Sequence, residues 1–234
     1  MIDFHSHILP EMDDGADSVE TSLELLRESR RQGVTVMFAT PHFYADEEDP
    51  ETFLERREEA WNNLRGEMDP AEEWPQIRLG AEILFFPGIS VAEELRNLTL
   101  EGTDLLLIEP PMIPWSSAML EEIEECGENL HRIPVIAHVD RYMRIFSDDT
   151  LLDRVAEYRM LAQVNASFFL YEDSREMAMD CLTEGRFHFL GSDCHDMDRR
   201  RPNLGYAAEV IHAFGGEELF RRFNAREARA LPGR

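Results

Sequence analysis

Short apolar runs alternate with longer amphipathic segments along most of this chain, a pattern typical of alternating strands and helices. The short runs predict strands at 2–4, 34–40, 76–83, 105–108, 134–137, 161–164 and 187–190. Apolar residues at helical spacing predict helices at 18–32, 50–65, 117–131, 151–158 and 173–184, with two further helices from Asn203 onward. The tail from Ala225 is expected to fray.

This alternation indicates an α/β fold with parallel strands, either a closed barrel or an open doubly wound sheet. Most of the predicted strands lead directly into a polar residue at their C-terminal end. Because active sites of α/β barrels lie at that end, we predict a TIM-like (β/α)7 barrel with one catalytic rim. No repeat or low-complexity linker divides the chain, so residues 1–234 are predicted to form a single domain.

The first predicted strand leads into His5-Ser6-His7, and the rest of the functional interpretation depends on this segment. Residues two apart in an extended segment point to the same face, so both imidazoles can reach one metal ion. Asp13 and Asp14 follow within reach of the same pocket, and Gly15 allows a sharp turn beside them. Taken alone, the segment could also be a surface loop rich in histidine and aspartate.

Further residues of metal-binding types stand at the ends of later strands. The predicted metal ligands are His5, His7, Asp14, His42, Glu82, Glu109, His138, Asp193 and His195, and Asn165 follows the sixth strand. Each has an ordinary alternative, such as helix capping by His42 or an ion pair for Glu82, but the whole set favours one shared site. The set is too large for one ion and suits two or three. Imidazole and carboxylate ligands without thiolates favour Mn²⁺, Fe²⁺ or Zn²⁺.

The composition restricts the partners of such a site. A formal charge of −25 argues against binding a nucleic-acid backbone, and an anionic substrate would need local cations, either metal ions or arginines. All 23 basic residues are arginines, which excludes Schiff-base or nucleophilic chemistry at a lysine. There is no membrane-spanning apolar run and no signal-like N-terminus, and the three cysteines show no paired spacing. We therefore expect a cytoplasmic protein that does not insert into membranes.

A series of short motifs runs in order from residue 2 to about residue 206. They are D-F-H-S-H-I-L-P-E-M-D-D-G, A-T-P-H, G-A-E-I, L-L-I-E, P-V-I-A-H-V-D-R-Y, Q-V-N-A and G-S-D-C-H-D-M-D-R-R-R-P. As a set they resemble the polymerase and histidinol phosphatase (PHP) superfamily. Within it, the chain is similar to the manganese-dependent protein-tyrosine phosphatases of bacterial capsule and exopolysaccharide operons, the CpsB/CapC type. The chain departs from the family pattern at Val139-Asp140 and at Asn203, which concerns the arginine loops and not the ligands.

This resemblance implies a distorted PHP barrel with a trinuclear site and Mn²⁺ as the expected ion. The family pattern assigns one ion to His5, His7, Glu82 and Asp193, a second to Glu82, Glu109 and His138, and a third to Asp14, His42 and His195. Arg141 and Arg201 match arginines that bind the phosphate, with Arg199 and Arg200 as alternatives for the second. The implied activity is one-step hydrolysis of phosphotyrosine by metal-activated hydroxide. The implied substrate is a phosphotyrosine protein, such as the tail of a bacterial tyrosine kinase.

The arginines and the nearby aromatic residues also have structural interpretations. Arg141 could pair with Asp140, and Arg201 could belong to a solvated basic turn. The aromatic residues next to the predicted ligands could form a slot for a phenyl ring or could pack in the core. They are Phe43, Tyr44, Phe85, Phe86, Trp115 and Tyr142.

Two other functions remain open and a third is rejected. The same metals would serve a small-molecule phosphomonoesterase, such as a histidinol-phosphate phosphatase. The second function is a non-catalytic PHP module that binds a partner. Such a module would be expected to have lost one or more ligands, and none of the nine is missing here.

The C-x5-R motif of cysteine phosphatases occurs twice, from Cys126 to Arg132 and from Cys194 to Arg200. Both matches contain acidic residues that a phosphate-binding loop excludes, so we predict no cysteine nucleophile.

Overall fold

The computed structural model describes residues 1–148 and 150–231, and in this part of the chain nine short strands form the barrel. The strands are β1 Ile2–Asp3, β2 Val36–Ala39, β3 His42–Phe43, β4 Gln76–Leu79, β5 Glu82–Leu84, β6 Leu105–Glu109, β7 Ile133–Ile136, β8 Leu161–Asn165 and β9 Phe189–Gly191. The helices are α1 Val19–Arg31, α2 Pro50–Glu67, α3 Ser117–Asn129, α4 Val139–Phe146, α5 Leu151–Glu157, α6 Ser167–Leu170, α7 Glu172–Thr183 and α8 Leu204–Arg229. Two short 3₁₀ segments, Ile89–Val91 and Glu93–Asn97, lie between β5 and β6.

Two of the predicted strands are each divided in the structure into a pair of segments, β2 with β3 and β4 with β5. The register is the same on either side of the interruption, because Ala39 pairs with Leu79 and His42 pairs with Glu82. Pro41 lies at the break and has no N–H to donate to a neighbouring strand, which explains the gap in the ladder. Each pair of segments therefore acts as one strand of the barrel.

The strands are parallel and run around the barrel in chain order, as β1-β2-β4 and then β3-β5-β6-β7-β8-β9. The sheet closes where the end of β9 meets β1. The N–H of Phe4 donates to the carbonyl of Leu190 at 3.1 Å, and the N–H of Asp193 donates to that of His5 at 2.8 Å. A Cβ on Gly191 would lie only 2.6 Å from the Cβ of His5, so this approach requires glycine. The predicted parallel α/β barrel is confirmed.

Apolar side chains fill the barrel below its rim. Val36 and Phe38 of β2 pack with Phe4 in one cluster, whereas Met37 between them joins the larger cluster beneath the helices. The ring of Phe4 lies 5.2 Å from that of Phe38 and 4.4 Å from that of Phe189, measured between ring centroids. Because the interior is packed in this way, the polar side chains that follow the strands collect at the rim.

The C-terminal part of the chain agrees with its prediction in one respect and differs in another. Two helices were expected from Asn203 onward, and the helical span α8 consists of two helical parts separated at Gly216, whose φ of +77° and ψ of 168° are not helical. The expected fraying from Ala225 was wrong within the described residues, since α8 continues to Arg229. The buried carboxylate of Glu227 accepts the N–H of Leu190 at 2.9 Å and so holds the last turns of α8 against β9. Residues 232–234 of the predicted tail lie outside the described residues.

Helices α4 and α6 are absent from the predicted pattern because both are short and directly follow a strand end. None of the helices within the described ranges combines the length and apolarity needed to cross a membrane.

Candidate metal centre

The structure brings all of the predicted metal ligands to the C-terminal rim of the barrel. Eight of the nine form three groups in which one atom from each residue lies within 4.8 Å of the others. The groups are His7, Asp14, His42 and His195; His5, His7 and Asp193; and His42, Glu82 and Glu109. His138 belongs to none of the three, but its Nε2 lies 2.8 Å from Glu82 and 3.3 Å from Glu109.

The carboxylate of Glu82 lies at the centre of the cluster and is almost fully buried. Its Oε2 atom lies 3.0 Å from Nε2 of His5, 3.2 Å from Nε2 of His7 and 3.2 Å from Nδ1 of His42. Its Oε1 atom lies 2.8 Å from Nε2 of His138. Glu82 is the first residue of β5, so the interrupted third strand places this carboxylate in the middle of the four imidazoles.

The hydrogen bonds around His5 determine its tautomer. The Oε1 atom of Gln163 accepts the backbone N–H of His138 at 2.6 Å, and this fixes which end of the amide is the oxygen. The same Oε1 lies 3.0 Å from Nδ1 of His5, which must therefore be the protonated nitrogen. In the neutral ring, Nε2 of His5 then carries a lone pair and points toward Glu82.

His7 is oriented in the same way by a different residue. Its Nδ1 lies 2.7 Å from Oδ2 of Asp13, a carboxylate that can only accept, so Nε2 of neutral His7 is again the lone-pair nitrogen. The Nε2 atoms of His5 and His7 lie 3.0 Å apart. Oδ1 of Asp193 lies 3.6 Å and 3.5 Å from them.

Two imidazole lone pairs and the oxygens of Glu82 and Asp193 thus converge on one buried region. Acceptors brought together in this way repel one another unless a proton or a metal ion lies among them. The donor set of imidazole nitrogens and carboxylate oxygens fits Mn²⁺, Fe²⁺ or Zn²⁺. The residues present therefore fit a centre of divalent ions.

Without an ion, protons take up part of this negative charge. Burial alone would lower the pKa of His7, but the carboxylates of Asp13 and Glu82 outweigh it and raise that pKa to about 10. The pKa of His138 is raised to about 9, because the attraction of Glu82 and Glu109 likewise exceeds the effect of burial. Burial opposes ionisation of Glu82, yet His5 and His138 hold its pKa well below its usual value. In the metal-free state His7, His138 and Glu82 are therefore charged at neutral pH.

The outer part of the centre contains neutral imidazoles. Nδ1 of His195 lies 3.0 Å from the carbonyl oxygen of Asp193, which can only accept, so Nε2 carries the lone pair. That Nε2 lies 3.2 Å from Oδ1 of Asp14 and makes no hydrogen bond within the described residues. Burial, together with the charge of nearby His7, lowers the pKa of His195 to about 4. His195 is therefore available as a ligand at neutral pH.

Two of the predicted ligands adopt backbone conformations that side chains rarely take. His138 has φ +31° and ψ +53°, and Asp193 has φ +52°. Conformations of this kind cost energy and persist only where surrounding contacts enforce them. The bond from the His138 N–H to Gln163 and the bond from the Asp193 N–H to the His5 carbonyl supply such contacts.

Arg141 and Arg200 flank the carboxylate of Asp193. Arg141 donates to Oε1 of Glu109 at 3.1 Å and to Oδ2 of Asp193 at 3.0 Å. Arg200 donates to Oδ1 of Asp193 at 2.7 Å and lies 3.6 Å from Asp14. About one third of each arginine side chain is exposed at the mouth of the centre.

The predicted second arginine, Arg201, is placed elsewhere. Its side chain is exposed and lies in the field of Glu28 on α1, so the structure brings Arg200, the alternative, to the centre. Asp140, the predicted alternative partner of Arg141, does not pair with it. Instead, Asp140 is buried and accepts the backbone N–H of Asn165 at 2.8 Å.

The cysteines have none of the properties of a nucleophile. Cys194 is fully buried, and burial raises the pKa of its thiol above the usual range. Cys126 lies within α3, and burial, with the nearby charge of Glu122, raises its pKa to about 12. A thiol becomes nucleophilic when its pKa is lowered, so both thiols are inert at neutral pH.

Two residues that orient the predicted ligands were not among the predicted site residues. Asp13 was expected only to lie near the pocket, and Gln163 was not singled out at all. Gln163 stands two positions before Asn165 on β8, so the alternation of side chains in a strand places both on the rim-facing side. The amide nitrogen of Gln163 donates to Oδ1 of Asn165 at 3.0 Å, which continues the network to Asp193.

Comparison with known proteins finds relatives that match almost the whole chain. The chain matches the CpsB/CapC family, described as capsular polysaccharide synthesis, over residues 1–231. The tyrosine-protein phosphatase CpsB of Streptococcus pneumoniae is 31% identical over 229 residues, covering 90% of this chain and 89% of its own. The tyrosine-protein phosphatase YwqE of Bacillus subtilis is 29% identical over 230 residues, covering 94% of this chain and 87% of its own.

Solved structures extend the likeness to the fold. A structure from work on YwqE of Bacillus subtilis and CpsB of Streptococcus pneumoniae, described there as unique metal-dependent tyrosine phosphatases, matches with a TM-score of 0.83. It is 26% identical and the match covers 99% of this chain and 94% of the other. A D-hydantoinase from Thermus sp. matches with a TM-score of 0.55 at 11% identity, which shows only a shared barrel fold. The chain belongs to the CpsB/CapC family.

Proposed function

We propose that this chain is a metal-dependent protein-tyrosine phosphatase, a hydrolase of phosphoric monoesters. The observation that carries the proposal is the position of Arg141 and Arg200 on either side of Asp193, directly beside the cluster of predicted ligands. Guanidinium groups bind phosphoryl oxygens through paired N–H donors. The relatives named tyrosine-protein phosphatases support phosphotyrosine as the substrate class.

The proposed ligand assignment is that of the family pattern, and it differs from the three groups of donor atoms in assigning His138 rather than His42 to the second ion. His5, His7 and Asp193 with Glu82 would hold one ion, and Glu82, Glu109 and His138 a second. Asp14, His42 and His195 would hold a third. Divalent ions bound there supply a positive field that acts on phosphoryl oxygens and on a water nucleophile. Mn²⁺ is the proposed native ion, with Fe²⁺ and Zn²⁺ as alternatives that suit the same donors.

The arginines neutralise the carboxylates of the centre in this structure and would bind the phosphate in the loaded enzyme. Arg141 bridges Glu109 and Asp193, and Arg200 bridges Asp193 and Asp14. Once those carboxylates are paired with ions, the guanidinium N–H groups are available to the equatorial oxygens of the transferring phosphoryl group. Phenolate is a good leaving group, so a strong general acid is not required.

The biological setting proposed here comes from the family. Relatives of the CpsB/CapC type act in capsular polysaccharide synthesis, so the proposed protein substrate is the phosphotyrosine tail of a bacterial tyrosine kinase. A cytoplasmic location and a single domain over residues 1–234 belong to the same proposal. The buried, unpaired cysteines support a reducing compartment.

Two rival functions lead to different measurements. A small-molecule phosphatase would turn over histidinol phosphate more efficiently than a phosphotyrosine peptide. A non-catalytic module would hydrolyse neither substrate. Against it, each of the nine proposed ligand positions carries a residue of a metal-binding type, and the carboxylate of Glu82 is buried at the centre. We expect Mn²⁺-loaded protein to hydrolyse a phosphotyrosine peptide with a kcat/KM at least about tenfold above that for histidinol phosphate.

The Glu82→Gln variant tests whether the metal centre is the catalytic site in this assay. It keeps the size of the side chain but removes the charge at the centre of the cluster, so turnover should be lost. Higher efficiency on histidinol phosphate would contradict the tyrosine assignment. Undiminished turnover by Glu82→Gln would contradict the metal centre as the catalytic site.

A further inference from the structure

The segments that follow the barrel strands carry apolar residues after some strands and arginines after others. Strands β3, β5 and β6 are neighbours in the sheet, and the segments that follow them carry apolar residues. We call these residues the apolar arc: Tyr44, Phe85, Phe86, Met112 and Ile113. Arg141 and Arg200, which bind Asp193, follow β7 and β9 instead. The strand order therefore separates the apolar residues from the two arginines along the rim.

Three of the aromatic residues near the ligands are excluded as substrate contacts because they are buried. Phe43, Trp115 and Tyr142 are each at most 5% exposed. Phe43 packs edge-on against Phe53, and Trp115 packs edge-on against Tyr142 with ring centroids 4.8 Å apart. These rings support the barrel wall and cannot reach a bound ester.

The loop that follows the proposed ligand Glu109 exposes apolar side chains to solvent. The hydroxyl of Tyr142 donates to the carbonyl of Pro110, and Trp115 is buried at the other end of the loop. Between these two anchors, Met112 and Ile113 are 45% and 58% exposed. Exposed side chains of this size on a loop held at both ends provide a ready contact surface for an apolar ligand group.

Tyr44 is the aromatic residue of the arc that contacts a proposed ligand. Its ring stacks on the imidazole of His42, with centroids 5.3 Å apart and planes inclined by 21°. Its hydroxyl makes no hydrogen bond within residues 1–148 and 150–231, so the ring is not held by a polar contact.

We propose that the phenyl ring of the substrate packs against Tyr44, with Met112 and Ile113 beside it, while the phosphate faces Arg141 and Arg200. Tyr44 is thus the residue that selects aromatic over aliphatic phosphate esters. This inference rests on the proposed phosphatase function, which it extends by naming the ring-binding side of the site. A stacked aromatic pair favours the aromatic ester by about three- to tenfold, and Tyr44→Ala should lose that factor.

The first test measures binding and needs no turnover. Mn²⁺-loaded protein is titrated calorimetrically with phenylphosphonate and with methylphosphonate, which share the charged group and differ in the ring. Tyr44→Ala should weaken phenylphosphonate binding by about three- to tenfold and leave methylphosphonate within about twofold. Tyr44→Phe should keep the wild-type preference, because the ring and not the hydroxyl makes the contact.

The matched control is Phe214→Ala, which removes an exposed aromatic ring from the outer helix α8, where Phe214 is 66% exposed. It should change neither affinity. Equal weakening of both phosphonates by Tyr44→Ala, or a loss of bound Mn²⁺ in that variant, would overturn the inference. Loss of the preference in Tyr44→Phe would also overturn it.

The second test compares kcat/KM on phenyl phosphate and on ethyl phosphate for the same variants. A selective loss on phenyl phosphate in Tyr44→Ala supports the inference, and an equal loss on both esters contradicts it. Wild-type protein that hydrolyses neither ester, but shows a Tyr44-dependent preference for phenylphosphonate, would overturn the proposed phosphatase and retain the ring-binding side. The two failures are therefore distinguishable.

Discussion

The carboxylate of Asp13 lies 2.7 Å from Nδ1 of His7 and also accepts the backbone N–H of His42 at 2.9 Å. One side chain on the first loop thus orients two of the proposed ligands, which come from different strands. Attraction to His7 outweighs burial and holds the pKa of Asp13 far below its usual range, so this carboxylate is ionised throughout the working pH range. Partners of this kind fix the ligand tautomer and raise the basicity of the metal-bound nitrogen.

Asp13→Asn should therefore weaken Mn²⁺ binding by about 10- to 100-fold, although Asp13 is not itself a proposed ligand. The measurement is a titration of metal-free protein with Mn²⁺. Asp46→Asn is the matched control, because it removes one negative charge from an exposed position on the loop after β3. If both substitutions weaken Mn²⁺ binding equally, the effect is one of net charge, and the proposal that Asp13 orients the ligands is wrong.

Neighbouring arginines should respond very differently to the same substitution. Arg200→Ala removes a guanidinium that touches Asp193 and should lower kcat/KM on a phosphotyrosine peptide by about 10²- to 10³-fold. Arg201→Ala removes an exposed arginine near Glu28 and should stay within about twofold. Steady-state kinetics with saturating Mn²⁺ measures both, and a greater loss in Arg201→Ala would reverse the assignment.

The stability of the metal-free protein should fall as the pH rises above neutrality. The pKa values of His7 and His138 are raised from 6.5 to about 10 and about 9. Their contribution to stability is complete below about pH 6.5 and is lost as the pH rises through their folded values. Mn²⁺ binds the unprotonated imidazoles, so its stabilising effect should grow over the same window.

Thermal unfolding between pH 6.5 and 9.5, with chelator and with Mn²⁺, measures this difference. The increase in Tm caused by Mn²⁺ should be larger at pH 9 than at pH 6.5. The His212→Gln variant, changed at an exposed position of α8, should keep this profile, whereas His138→Gln should flatten it. A Tm increase that shrinks as the pH rises would show that protons and metal do not compete at these imidazoles.

Cys194→Ser should retain activity within about twofold at full metal occupancy. The thiol is buried between two proposed ligands, Asp193 and His195, and burial raises its pKa. A nucleophile would need the opposite shift. An inactive Cys194→Ser protein that still binds its full complement of metal would favour a cysteine mechanism over the one proposed here.

Much of the site could be predicted because parallel strands bring their C-terminal ends to one rim. Residues such as His42 and Glu82 are forty positions apart, yet they pair directly in β3 and β5. The spacing of His5 and His7 follows from the alternation of side chains in an extended segment. These relationships depend on strand periodicity, which is visible in the sequence.

The details that depend on loop geometry could not be predicted in this way. Three consecutive arginines follow Asp198, and which of them enters the centre depends on the turn before them. The carboxylate of Asp196 accepts the N–H groups of Asp198 and Arg199, both at 2.6 Å, and this turn directs Arg200 to Asp193. The burial of Glu227 depends on a contact with a distant strand, so the end of α8 was wrongly expected to fray.

The most direct test of the account is the metal content of the purified chain, measured together with its activity on a phosphotyrosine peptide. We predict two or three divalent ions per chain, loss of turnover when a chelator removes them, and recovery when Mn²⁺ is added back. Full turnover by protein that contains no divalent ion, in excess chelator, would contradict a function that depends on the cluster around Glu82.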